Sequence, residues 1–188
     1  MKYAIDYVDE LKRALTGLDP AAIGTAVSWL KEAREEGRTV FVCGNGGSAA
    51  IASHIVVDLL KGASYGRSCR FKVMGLSDNV AAITAYANDV SFDCVFVEQL
   101  RNFARQGDIL LAISGSGDSR NVLKAVEYAK TVGCRTIGLT RAEGGALKDR
   151  VDLNLGAPGA HMGRLEDCFM VLGHIISYAF MEGAAGDD

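Results

Sequence analysis

Five short stretches of this chain, 39–43, 71–76, 108–114, 135–140 and 151–155, are apolar and rich in β-branched residues. A strand with one wet face alternates apolar and polar side chains, but Ile109-Leu110-Leu111-Ala112-Ile113 has no polar face. Strands of this kind belong to a parallel sheet covered by helices on both sides. Segments around them carry apolar residues at helical spacing, which predicts helices over 3–15, 20–36, 49–60, 121–132 and 164–182. Asp19-Pro20 marks one start, an N-cap followed by a first-turn proline. The fold expected is α/β: a three-layer αβα sandwich around a five-stranded parallel sheet, with two extra N-terminal helices.

No repeat or linker interrupts the chain, so one domain is expected over 1–188. Residues 1–36 supply more helix than a five-stranded sheet needs for cover and are expected to pack against another copy of the chain. The αβα core would then occupy 37–182, and 183–188 reads as a flexible tail.

Composition adds one anomaly. The 188 residues include 22 glycines but 2 prolines, and 49% are hydrophobic, whereas average usage predicts about 13 glycines. The 20 basic and 23 acidic side chains give a net charge of −3 with no Lys/Arg cluster, which argues against a nucleic-acid or anionic-membrane partner. The apolar C-terminal stretch 168–181 is too short to cross a bilayer. Charges in the first ten residues do not suit a secretory signal, so a cytoplasmic protein is expected. The five cysteines are scattered without a Cys-x-x-Cys pair and read as buried free thiols.

The excess glycine gathers where strands end. Cys43-Gly44-Asn45-Gly46-Gly47-Ser48 joins the first strand to a helix, and Ser114-Gly115-Ser116-Gly117-Asp118-Ser119 does the same after the third. A glycine turn opening onto a helix offers free amides and the positive end of the helix dipole to an anion. Hydroxyls at Ser114, Ser116 and Ser119 add neutral donors suited to a phosphate monoester. Each loop alone is also an ordinary βα turn. Two of them, after strands one and three, flank the point where a 2-1-3-4-5 sheet reverses its strand order and binds ligands. Gly44-x-Gly46-x-x-Ala49 loosely fits a dinucleotide fingerprint, with Asp78 as a ribose acid, but that leaves the serine-rich loop without a purpose. Without a Gly-Lys-Ser/Thr, a nucleoside triphosphatase loop is excluded.

These two loops, together with Ala87-Asn88-Asp89 and Phe92, Gly138-Leu139-Thr140 with Gly144-Gly145, and Arg164 ten residues before His174, resemble the sugar isomerase (SIS) domain, and within it the phosphoheptose isomerases. The resemblance runs through nearly the whole chain. It implies a flavodoxin-like fold, a homotetramer with active sites shared between subunits, and aldose–ketose isomerisation of sedoheptulose 7-phosphate. A non-catalytic SIS protein that binds phosphosugars or a replication initiator is the alternative. The substrate-binding positions implied are Asn45, Gly46, Gly47, Ser48, Asn88, Asp89, Ser114, Gly115, Ser116, Ser119 and Arg164. No nucleotide cofactor is expected.

In that family the helix after the first loop carries a His followed four residues later by a Glu, and the last helix carries a Gln and then a His. Here the positions read His54, Asp58, Glu166 and His174. The resemblance implies Asp58 and His174 as the acid/base pair, and all four as ligands of Zn²⁺. Two of the four depart from the pattern. In the second loop, Gly115 replaces a common Thr and Asp118 a common Asn, the latter adding a negative charge beside the expected phosphate.

The residues themselves bear on this reading. His54 and Asp58 lie at i and i+4, on one face of a helix that begins at the phosphate loop. That helix is apolar nearly all round and is expected to be buried. Glu166 and His174 lie about 12 Å apart along one straight helix and about 80° around it. They can meet at one centre only if they come from two chains or if Glu166 precedes the helix. His161, in a glycine-rich loop, is expected to be solvated.

Overall fold

The computed structural model describes residues 1–159 and 161–183; the predicted tail from 184 onward and Ala160 lie outside them. Five parallel strands form one sheet, β1 (Thr39–Gly44), β2 (Lys72–Gly75), β3 (Ile109–Ser114), β4 (Arg135–Arg141) and β5 (Leu153–Ala157), in the order β2-β1-β3-β4-β5. Eight α-helices are described: α1 (Lys2–Thr16), α2 (Pro20–Glu35), α3 (Gly47–Val57), α4 (Val80–Asp89), α5 (Val97–Phe103), α6 (Arg120–Thr131), α7 (Ala146–Arg150) and α8 (Met162–Met181).

The period-two geometry of the strands divides the core in two. Val40, Val42, Ile109, Leu111 and Ile113 point to the layer of α2, α3 and α8, where Leu30, Ile55 and Phe169 meet them. Phe41, Cys43, Leu110 and Ala112 point to the opposite layer, against Leu100, Val122 and Val126 of α5 and α6. Both faces of β3 are therefore dry, which is why its sequence has no polar face.

Two expectations are corrected by this packing. The helix predicted over 49–60 is not buried all round: Val57 and Leu60 are half exposed. Nor is it α-helical throughout, because α3 passes at Asp58 into a π-helical turn, Asp58–Gly62. α1 buries none of its residues in this chain. Its Leu11, Ala14 and Leu15 pack partly buried against the core, and polar contacts join it to α8. The Tyr7 hydroxyl donates to Asp167 at 2.6 Å, and Arg164 pairs with Glu10 and lies 5.1 Å from the Tyr7 ring centre.

At its far end α8 is anchored by Phe180, which meets the edge of Phe71 at 4.9 Å between ring centres, with the buried Arg34 guanidinium over both rings. Phe180→Ala should lower unfolding stability by about 3–5 kcal/mol in a denaturant titration. A loss below about 1 kcal/mol would show that the surroundings collapse into the space.

Candidate active site

β1 and β3 are neighbours, but their connections leave on opposite faces, α3 with one layer and α6 with the other. The carboxyl ends of the two strands thus open a crevice, and both glycine loops line it. In the first, Gly46 has φ +56, a left-handed conformation that turns the strand into α3. The two loops are clasped across the crevice by reciprocal amide bonds. Asn45 donates to Asn121 and Asn121 donates back, each at 2.9 Å, with Asn121 buried. In the second loop the buried Ser114 hydroxyl lies 3.1 Å from that of Ser119 and 3.4 Å from that of Ser116, and accepts from the Gly117 amide at 3.2 Å. Ser48, in the first turn of α3, is also buried.

A second group of side chains gathers between α3 and α8. His54 Nε2 lies 2.9 Å from His174 Nε2 and 3.4 Å from Asp58 Oδ2. Gly173 makes this possible, because a Cβ there would come within 2.7 Å of Ile55 and hold the helices apart. At such a distance either one imidazole donates to the other, or both turn lone pairs toward a shared cation. Asp58 Oδ2 is buried with no hydrogen-bond donor among the described residues. One donor atom each from His54, Asp58 and His174 lie within 4.8 Å of one another. Two imidazoles and an unpartnered carboxylate are a donor set suited to a divalent ion with room for further ligands.

Glu166 is not part of this cluster. It lies inside α8, so the alternative that it precedes the helix does not apply, and a Cβ on Gly47 would run into its carboxylate. It therefore stands at the start of α3, beside the first loop. Arg164 is also turned away from the loops, toward α1 and Glu10. His161 is not merely solvated: it caps α8, its Nδ1 accepting from the Arg164 amide at 3.4 Å, with its ring edge-on to Tyr7. Asn88 and Asp89 are exposed at the end of α4 and bond to each other at 2.8 Å. Where the resemblance places a Thr, Gly115 leaves space that the Met162 thioether fills. Asp78 is occupied by the Ser53 hydroxyl. Asn121 is the residue that sequence reasoning passed over, and its signal was an amide directly behind a glycine loop.

With the geometry in view, comparisons with known proteins carry weight. A profile of the SIS domain family matches residues 4–141. The chain belongs to the SIS domain family. Among its SIS relatives, the phosphoheptose isomerase of a Nitratiruptor species is 40% identical over 145 residues, 77% of each chain. That of Geobacter sulfurreducens is 36% identical over 176 residues, 90% of this chain and 87% of its own. The solved phosphoheptose isomerase from Francisella tularensis superposes with a TM-score of 0.88 at 31% identity, over 96% of this chain and 95% of that one. Among the described residues no helix is long and apolar enough to cross a membrane.

Cys43 lies directly before the first loop, but desolvation pushes its thiol up to about 12, and burial with nearby Asp108 does the same for Cys134. Neither offers a thiolate near neutral pH. In mass-spectrometric labelling at mildly alkaline pH, the exposed Cys69 should react first, with Cys43 and Cys134 protected until unfolding. Early labelling of Cys43 would refute a closed first loop.

Proposed function

We propose that this SIS protein isomerises sedoheptulose 7-phosphate to the corresponding heptose 7-phosphate, a reading supported by its relatives' name, phosphoheptose isomerase. The observation that carries this reading is the juxtaposition of two chemistries. A crevice of glycine-loop amides and serine hydroxyls suits a phosphate, and a His-Asp-His cluster on α3 and α8 suits proton transfer. Ser48, Ser114, Ser116 and Ser119 hold the phosphate, Asn88 and Asp89 face sugar hydroxyls, and Asp58 and His174 move protons.

The reaction transfers hydrogen between adjacent carbons. A base removes a proton from C1 of the ketose while an acid protonates the C2 oxygen, giving an enediol. Return of a proton to C2, with loss of one from the C1 hydroxyl, yields the aldose. An imidazole is the side-chain type suited to serve as either partner near neutral pH. Asp58, half-buried with His54 Nε2 3.4 Å from its Oδ2, is placed to accept a proton. In a metal-loaded form His54, Asp58 and His174 would instead be ligands of Zn²⁺, which would polarise the sugar carbonyl while water or a substrate hydroxyl exchanged the protons; Glu166 would join such a centre only from another subunit.

We further propose that the chain works in the cytoplasm as a homotetramer whose sites are shared between subunits. Supporting this, α1 exposes Tyr3, Ile5 and Val8, while Ile175 and Tyr178 line an apolar groove of about 590 Å³ beside His174. Light scattering should give the mass of four chains; a monomer at micromolar concentration would refute the shared site.

The deciding assay follows sedoheptulose 7-phosphate by NMR, with and without chelator and added Zn²⁺. Turnover is expected, and His174→Ala should lower kcat by at least about 100-fold with little change in KM. Phosphosugar binding without turnover under all metal conditions would favour the non-catalytic alternative, toward which the Asp58 and Glu166 departures point.

A further inference from the structure

We propose that Asp118 is a positioning residue that sets the second glycine loop for phosphate by clasping it to α7; the proposal rests on the phosphosugar reading above. A carboxylate among Ser114, Ser116 and Ser119, turned inward, would oppose a phosphate carrying about −1.5 to −2 charges. The side chain is turned outward. Its Oδ1 accepts from the amide of Ala146, the first residue of α7, at 2.9 Å. One residue earlier, the Gly117 carbonyl accepts from the Leu147 amide, also at 2.9 Å. Two consecutive loop residues thus satisfy two consecutive amides that a helix start leaves without partners.

The backbones behind this clasp are in contact. Gly117 has φ +76, and a Cβ on it would lie 2.7 Å from Gly145 Cα and 3.0 Å from both the Gly144 carbonyl and Thr140 Oγ1. A side chain on Gly145 would likewise run into Ser116 and Gly117. The Gly144-Gly145 pair therefore admits the second loop to the start of α7. Thr140 Oγ1, fully buried and without a hydrogen-bond partner among the described residues, faces the same glycine from the end of β4.

The clasp reaches the binding surface through one bond. The Asp118 amide donates to Ser116 Oγ at 3.2 Å, so the conformation of Asp118 orients the most exposed hydroxyl of the loop. The carboxylate's charge is absorbed by the amide end of α7 rather than presented to the ligand.

The test compares the full-length wild type with Asp118→Ala and Asp118→Asn. Calorimetry measures binding of inorganic phosphate and of sedoheptulose 7-phosphate, NMR measures exchange of the Ala146 amide, and kinetics separates KM from kcat. Asp118→Ala should weaken binding of both compounds and raise KM by about fivefold with kcat held, and should speed Ala146 exchange, whereas Asp118→Asn, whose amide oxygen accepts the same bond, should stay within about twofold of wild type. An Asp118→Asn variant as weak as Asp118→Ala overturns the proposal. So does tighter phosphate binding by Asp118→Ala, which would mean that the carboxylate only repels. A wild type that binds neither compound overturns the phosphosugar reading as well; wild-type binding that Asp118→Ala leaves unchanged overturns this proposal alone.

Discussion

The crevice lined by both glycine loops depends on the reversal of strand order between β1 and β3. Because the two strands are adjacent while their following helices lie on opposite faces, their carboxyl ends cannot be covered by either helix layer. The opening that remains is where both glycine loops sit, and the Asn45–Asn121 pair ties them across it. That pair uses amide groups that could otherwise reach a ligand. It fixes the distance between the starts of α3 and α6 and so holds the two loops in one frame.

The His-Asp-His cluster follows from a different constraint, the close approach of α3 and α8 at Gly173 and Ile55. With the helices in contact, His54 and His174 are forced within hydrogen-bond distance, and the π-helical turn begins at the residue that completes the set, Asp58. A π-turn displaces the side chains that follow it relative to regular helical spacing. An i, i+4 pair could be recognised in the sequence, but not the irregularity that starts at its second member. The Asp58 Oδ2 at that turn is buried and, with His54 Nε2 at 3.4 Å, still lacks a well-formed hydrogen bond among the described residues.

Departures from the family pattern can be weighed by where their side chains go. Asp118, the added charge in the second loop, is turned to the start of α7, where its carboxylate accepts from the Ala146 amide. Gly115, a lost hydroxyl, is covered by Met162. Glu166 has no such compensation: its carboxylate stands beside the first loop, at the start of α3.

The sequence by itself determined the layers, the five strands and the two glycine loops; the order of the strands was observed only in the folded sheet. Those features rest on local patterns: dry strands such as Ile109 to Ile113, and turns that only glycine allows. Only the tertiary structure decided the directions of individual side chains. Arg164 and His174 share a helix, yet one faces α1 and the other α3; His161 caps that helix; Asn121 leaves its own helix to meet Asn45. The physical reason is that spacing along a helix tells which residues share a face, whereas the neighbour a face meets is set by packing between elements far apart in the chain.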